Sequence, residues 1–217
     1  LTEQLYQRFL ESGKISTDTR QIIPGSLFFA LRGDKFNANE FAAQALEKGA
    51  SYAVVDDIKY ATGEKFLLVE DSLGALQALA KHHRSQLKIP VVGLTGSNGK
   101  TTSKELVLAV LSRKFKTYAT KGNLNNHIGV PLTILSIDQS YEMAVVEMGA
   151  NHQKEIAFLC EIAQPDYGYI TNFGKAHLEG FGGVEGVIKG KSEMYDYLIK
   201  NSKKVVVNLD DPIQSTK

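Results

Sequence analysis

Only one cysteine, Cys160, occurs among the 217 residues, so no disulfide can form within the chain. It lies in the helically spaced stretch EIAFLCEIA at 155–163 and reads as a small buried apolar residue. An excess of one charge is lacking too. Lys and Arg number 25 against 24 Asp and Glu, leaving a formal net charge of +1, which offers nucleic acid or an anionic membrane no bulk attraction. No apolar run approaches the ~20 residues that span a bilayer, and no basic-then-apolar leader opens the chain. There is no internal repeat and no low-complexity tract. These absences argue against disulfide-stapled, nucleic-acid-coating and membrane-inserted classes, and are in keeping with a cytoplasmic protein acting as a monomer. What is present is ordinary for a globular protein. The hydrophobic share is 43% and the charged share 23%, enough for one large or two small domains with sizeable cores. The first residue is Leu1 rather than Met, and the last strand-like run is followed by few residues; both ends are expected to be cuts in a longer protein.

The pattern along the chain changes near residue 88. Before it, Leu1, Leu5 and Phe9 stand at helical spacing with Gly13 to stop them. Strands are predicted at 26–31, 52–55 and 66–69, a helix capped by Asn39 runs to Gly49, and another covers 72–87. Lys88-Ile-Pro90 reads as a joint. Beyond it strands at 91–94, 116–119, 141–148, 167–171 and 204–208 alternate with helices at 101–114, 131–137, 154–163 and 184–199. Such alternation predicts an α/β fold with a mainly parallel sheet covered on both faces. The expected organisation is a small α/β domain over 1–88 and a second, incomplete parallel-sheet domain over 89–217.

The second domain opens on VVGLTGSNGKTT at 91–102. An apolar strand runs into Gly96 and Gly99, then Lys100, then Thr101 and Thr102, then a helix. Glycines let backbone N–H groups converge on phosphate oxygens, and the helix N-terminus adds partial positive charge there. Lys100 can reach the outer phosphates, and the hydroxyl of Thr101, or failing that Thr102, can ligate Mg²⁺. Leu94 stands where the generic phosphate loop has glycine, so the form is the tighter TGxNGKT. The plain alternative is a helix-capping glycine turn. Glu147 is predicted at a strand end, where open α/β sheets present ligand residues, and a carboxylate suits Mg²⁺. Asn125 and Asn126 can bind phosphate, metal-bound water or substrate, or simply make a turn.

Five more segments follow the loop in order: GNLNNHIGVP at 122–131, EMGA at 147–150, TNFGKAHLEGF at 171–181, KSEMY at 191–195 and NLDDP at 208–212. Upstream stand DTR at 18–20, PGSLFFAL at 24–31 and GDKFN at 33–37. Together with TGSNGKTT these resemble the Mur ligase family, the ATP-dependent amide-forming enzymes of peptidoglycan precursor synthesis, and within it the branch that adds a D-alanyl-D-alanine dipeptide. The resemblance covers nearly the whole chain. Two departures stand out: Ser192 replaces the commoner Gly, and Asn37-Ala-Asn39 stands where many relatives carry an Asp-Gly-His-type stretch.

The resemblance implies a UDP-substrate domain followed by an ATP-binding domain. It implies joining of UDP-N-acetylmuramoyl-tripeptide to D-Ala-D-Ala through an acyl phosphate, with ATP and two Mg²⁺ ions. Thr95, Gly96, Ser97, Asn98, Gly99, Lys100, Thr101 and Thr102 would hold the nucleotide, with Asn208 and Asp210 toward its base or ribose. Thr101, Glu147, His177 and Lys191 would serve the metals. Lys191 would be carbamylated, with Lys189 as its competitor for that role. Lys100, Lys191, His177 and Asn126 would act at the reacting groups. Asn125 and Asn126 would meet the substrate, and Asp18, Thr19 and Arg20 its UDP-sugar end. His82, His83, His127 and His152 read as structural or solvated. Family members carry a third domain that closes over ATP, so residues 1–217 alone are expected to be largely inactive. Other readings are another Mur-type branch, amino-acid-adding or folylpolyglutamate-like, and a nucleotide switch or binding fragment without ligase activity.

Overall fold

The computed structural model describes residues 2–175 and 177–216. Leu1, counted above in the first helix, Ala176, within the TNFGKAHLEGF segment, and Lys217 lie outside the described residues. The chain divides between His83 and Arg84 into two compact units.

In the first unit, α1 (Thr2–Ser12) buries Leu5, Tyr6 and Phe9 and ends at Gly13, whose N–H donates to the Phe9 carbonyl in a left-handed conformation suited to glycine. Four strands, β1 (Ile15–Ser16), β2 (Leu27–Phe29), β5 (Tyr52–Val55) and β6 (Phe66–Leu68), form a parallel sheet in the order β1-β2-β5-β6. Leu27, Phe28 and Phe29 are wholly buried, as expected of a strand covered on both faces. A short antiparallel hairpin, β3 (Arg32–Gly33) with β4 (Phe36–Asn37), was not legible in the sequence. The helix expected to start at Asn39 starts differently. The Asn37 side chain caps a 3₁₀ turn by accepting from the Asn39 N–H, and α2 (Ala42–Glu47) follows. Asn39 is itself buried. Its amide donates to Asp56 Oδ1 at 2.7 Å and its Oδ1 accepts the Asp56 N–H at 3.0 Å, so its side chain is committed to Asp56 rather than to a cap. The helix α3 (Ser72–Gln86), within which the division of the chain falls, is started by Asp71, which accepts from the N–H groups of Leu73 and Gly74.

The second unit contains β7 (Val91–Thr95), α4 (Lys100–Leu111), β8 (Thr117–Ala119), α5 (Gly129–Leu135), β9 (Met143–Glu147), α6 (Glu155–Ala163), β10 (Tyr167–Ile170), α7 (Leu178–Phe181), α8 (Val184–Lys200) and β11 (Lys204–Val206). Its strands form one parallel sheet in the order β11-β10-β7-β9-β8. From β7 the chain winds first toward β8 and β9, then to the opposite side for β10 and β11. The topological switch therefore lies at the carboxyl end of β7, where open α/β sheets bind ligands. Val91, Leu94, Ala144, Val145, Val146 and Ile170 are wholly buried in this sheet. Cys160 is buried on α6, and burial pushes its thiol well above the usual range, so it is the inert core residue its setting suggests. Below the sheet Arg84 donates to the carbonyls of Ala163, Leu87 and Gln164 and pairs with Asp166 at 2.9 Å. Among the described residues no helix is long and apolar enough to cross a membrane.

Candidate active site

At the end of β7 the backbone turns over Gly96 at φ +147° and Gly99 at φ +74° into α4. A Cβ on Gly96 would stand 1.9 Å from Thr171 Oγ1, so the close approach of the 171–174 segment requires glycine there. Gly99 is the N-cap of α4 and offers no side-chain cap, which leaves the first-turn N–H groups to an external anion. Lys100 folds over the loop, its Nζ donating to the carbonyl of Gly96 at 2.9 Å and of Ser97 at 3.4 Å. Burial lowers its ammonium from the ordinary value, with Glu147 partly opposing. Thr95 is buried and its hydroxyl has no hydrogen-bond partner, while Thr102 is exposed.

Glu147 ends β9 and is 2% exposed. Its Oε1 accepts from Asn125 Nδ2 at 2.8 Å and its Oε2 from Thr101 Oγ1 at 3.2 Å. The geometry thus selects Thr101 over Thr102 as the hydroxyl beside the carboxylate. Among the described residues no group of three His, Cys, Asp or Glu side chains could hold a metal. One carboxylate beside one hydroxyl is still the kind of hard-oxygen set that Mg²⁺ completes with water and substrate phosphates, so the residues fit that ion.

A cavity of about 500 Å³ opens beside the loop. Lys100, Asn125, Asn126 and His177 line it together with His127, Asn151, Glu155, Phe158 and Leu159. Asn126 also uses its Oδ1 to accept the N–H groups of Ile128 and Gly129, which starts α5 two residues before the expected Pro131. His127, read from sequence as structural or solvated, stands on the cavity wall. His177 sits at φ +54°, ψ +38° just before α7, with no side-chain cap bond to it, a left-handed conformation that costs a non-glycine residue about 1–2 kcal/mol. Such strain gathers where a side chain must be aimed.

Lys191 is 2% exposed on α8, whereas its competitor Lys189 is exposed. Its Nζ donates to the Ala150 carbonyl at 3.3 Å and lies 5.0 Å from the centre of the Phe181 ring. Burial, then the charge of Lys100, bring its ammonium from 10.5 down to about 8, with Glu155 and Glu193 pulling the other way. Glu193, one turn-face away, accepts from the N–H groups of Lys154 and Ala157 and so caps α6 from α8.

Two groups of expected residues lie elsewhere. Asn208 and Asp210 occupy a turn after β11, where Asn208 Oδ1 accepts the Asp210 N–H at 3.0 Å, and neither lines the cavity. Asp18, Thr19 and Arg20 line a separate cavity of about 840 Å³ in the first unit, with Phe28, Phe36, Phe41, Gln44 and Lys48. Phe36 and Phe41 stack there, centroids 5.6 Å apart. Arg20 is paired with Asp18 at 2.7 Å, and its guanidinium holds the Asp18 carboxyl down at about 2. Thr171 and Asn172 stand in the TNFGKAHLEGF segment with no chemistry of their own to mark them, and only the fold places them against the loop.

Comparison with known proteins agrees with this geometry. The Mur ligase middle domain matches residues 94–217, and the Mur ligase family catalytic domain matches residues 13–84. The UDP-N-acetylmuramoyl-tripeptide–D-alanyl-D-alanine ligase of Escherichia coli (strain K12) is 44% identical over 200 residues, which are 91% of this chain and 43% of the relative. A crystal structure of MurF from Acinetobacter baumannii superposes with a TM-score of 0.87 at 36% identity, over 99% of this chain and 50% of that one. The MurF ligase of Thermotoga maritima in complex with ADP gives 0.86 at 34% identity, over 96% and 48%. The chain thus spans less than half the length of the curated relative and about half that of the solved chains. With its phosphate loop, its strand-end carboxylate and a middle-domain match over more than half its length, this chain belongs to the Mur ligase family.

Proposed function

We propose that the protein of which these residues are part is an ATP-dependent ligase that joins D-alanyl-D-alanine to UDP-N-acetylmuramoyl-tripeptide. The observation that carries the reading is the convergence of Lys100, the Thr101–Glu147 pair and the buried Lys191 at the carboxyl ends of β7 and β9. The relatives' names supply the substrates.

In this reading the triphosphate lies along the loop, where the α4 N-terminus and Lys100 offset its charge. Thr101 and Glu147 would hold Mg²⁺, which would supply charge neutralisation to the nucleotide phosphates. The carboxylate of the tripeptide enters the cavity between Lys100 and His177 and attacks the γ-phosphorus, ADP departing. The dipeptide amine then attacks the acyl carbon, loses a proton, and phosphate leaves. Such chemistry needs alignment and charge compensation rather than a protein nucleophile. An amine depressed to about 8 is neutral often enough to add CO₂ with loss of a proton. A Lys191 carbamate would supply an oxygen donor, and His177 a nitrogen donor, to a second Mg²⁺. In the first unit the cavity lined by Asp18, Thr19, Arg20 and the Phe36–Phe41 stack would take the UDP end.

The test is product analysis with the full-length polypeptide, ATP, Mg²⁺, UDP-tripeptide and D-Ala-D-Ala. A UDP-pentapeptide formed one for one with ADP is the expected product. Product formation only with a single amino acid would reassign the branch, and nucleotide binding without an amide product would favour a switch. Residues 1–217 alone are expected to turn over poorly.

A further inference from the structure

The crest of the phosphate loop is held by residues to which the chemistry above assigns nothing. Asn172 grips both polar groups of the Asn98 backbone. Its Oδ1 accepts the Asn98 N–H at 3.2 Å and its Nδ2 donates to the Asn98 carbonyl at 3.0 Å. Thr171 Oγ1 donates to the same carbonyl at 2.6 Å. The Asn172 carbonyl accepts the Ser97 N–H at 3.1 Å, and Ser97 Oγ donates to the Gly174 carbonyl at 2.9 Å. Five hydrogen bonds therefore join Ser97 and Asn98 to residues 171–174, and the same strand of chain runs on to His177 at the cavity.

We infer that Thr171 and Asn172 are positioning residues that clamp the crest of the phosphate loop, turning the Ser97 and Asn98 amides inward to the protein so that Gly99 and the first turn of α4 face the nucleotide. The inference deepens the nucleotide-binding reading and rests on it. Its logic is an accounting of donors. A loop cradles phosphate with whichever N–H groups it leaves unspent. Ser97 and Asn98 spend theirs on Asn172, whereas the first N–H groups of a helix have no intrahelical acceptor. Gly96 belongs to the same device, because only a residue without Cβ lets Thr171 Oγ1 reach across. The clamp also ties loop geometry to the backbone that carries His177.

The test uses the full-length protein and four variants: Thr171→Val, Thr171→Ser, Asn172→Ala and Lys100→Ala. ADP affinity is measured by calorimetry, KM for ATP and for UDP-tripeptide by kinetics, and exchange of the Ser97 and Asn98 amides by NMR. Asn172→Ala is expected to weaken ADP roughly tenfold, the scale of two lost hydrogen bonds, and to speed exchange at both amides. KM for ATP should rise while KM for UDP-tripeptide stays within about twofold. Thr171→Val should lose a smaller factor, and Thr171→Ser, which keeps the donor, should restore it. Unchanged ADP affinity in Asn172→Ala, or an equal rise in both KM values, overturns the inference. A wild type whose ADP binding is absent and matches Lys100→Ala overturns the nucleotide reading itself, and the inference with it.

Discussion

Lys191→Met should make the protein more stable while abolishing its activity. Burial and the Lys100 charge hold the Lys191 ammonium at about 8 against 10.5 for a free side chain. At about 1.36 kcal/mol per pH unit, keeping that charge inside the native fold at pH 7 costs up to ~3 kcal/mol. Methionine fills similar space without the charge. It forfeits the bond to the Ala150 carbonyl and the Phe181 ring contact, together worth ~1–2 kcal/mol, so the net gain at pH 7 is about 1–2 kcal/mol. The pH dependence is the sharper signature. Between pH 8 and 10.5 the unfolded chain still holds a proton that the native amine has released, so raising pH favours the native state. Wild-type stability should rise through that window relative to Lys191→Met. The assay is urea unfolding of the second unit at pH 7, 9 and 10.5, in EDTA and CO₂-free buffer. A variant less stable at pH 7, or a wild-type-minus-variant difference flat from pH 8 to 10.5, would refute the reasoning. A group proposed for catalysis that costs stability where it stands would fit the common opposition between activity and stability.

Gly96→Ala, with its Cβ 1.9 Å from Thr171 Oγ1, should weaken ADP at least tenfold by calorimetry, whereas Gly99→Ala, with nothing within 4 Å, should cost only about 1 kcal/mol of stability for its positive φ. Glu147→Gln keeps oxygen and shape but loses charge. In EDTA it should bind ADP like wild type, and with Mg²⁺ it should fall behind by roughly tenfold or more. Arg84→Leu strips hydrogen bonds from three carbonyls and leaves Asp166 with only Lys203 and the Val91 N–H. It should lower unfolding free energy by ~2–4 kcal/mol in denaturant melts.

Much of the second unit was readable because its signals are local. Val91 to Thr95 and Met143 to Glu147 are apolar runs that end on residues proposed for the site, and the loop between Gly96 and Thr102 carries its proposed chemistry in consecutive positions. The order of the strands was not readable, since nothing local in β9 says that it lies between β7 and β8. The 3₁₀ cap at Asn37 was missed because Asn39 looks like a cap until Asp56, far along the chain, claims its side chain. The β3–β4 hairpin is only two residues a side, too short for alternation to register. For the site, Lys100, Asn126 and His177 do meet around one cavity, and Thr101 does reach Glu147. Asn172 escaped notice because its role is a backbone grip on Asn98 across a separation of 74 residues, which no spacing rule encodes.

The most direct measurement is steady-state phosphate release by the full-length protein with ATP, Mg²⁺ and UDP-N-acetylmuramoyl-tripeptide, with and without D-Ala-D-Ala, beside Lys100→Ala. The account predicts release that depends on the dipeptide and is lost in the variant. Release indifferent to the dipeptide, or undiminished without the Lys100 ammonium, would contradict it.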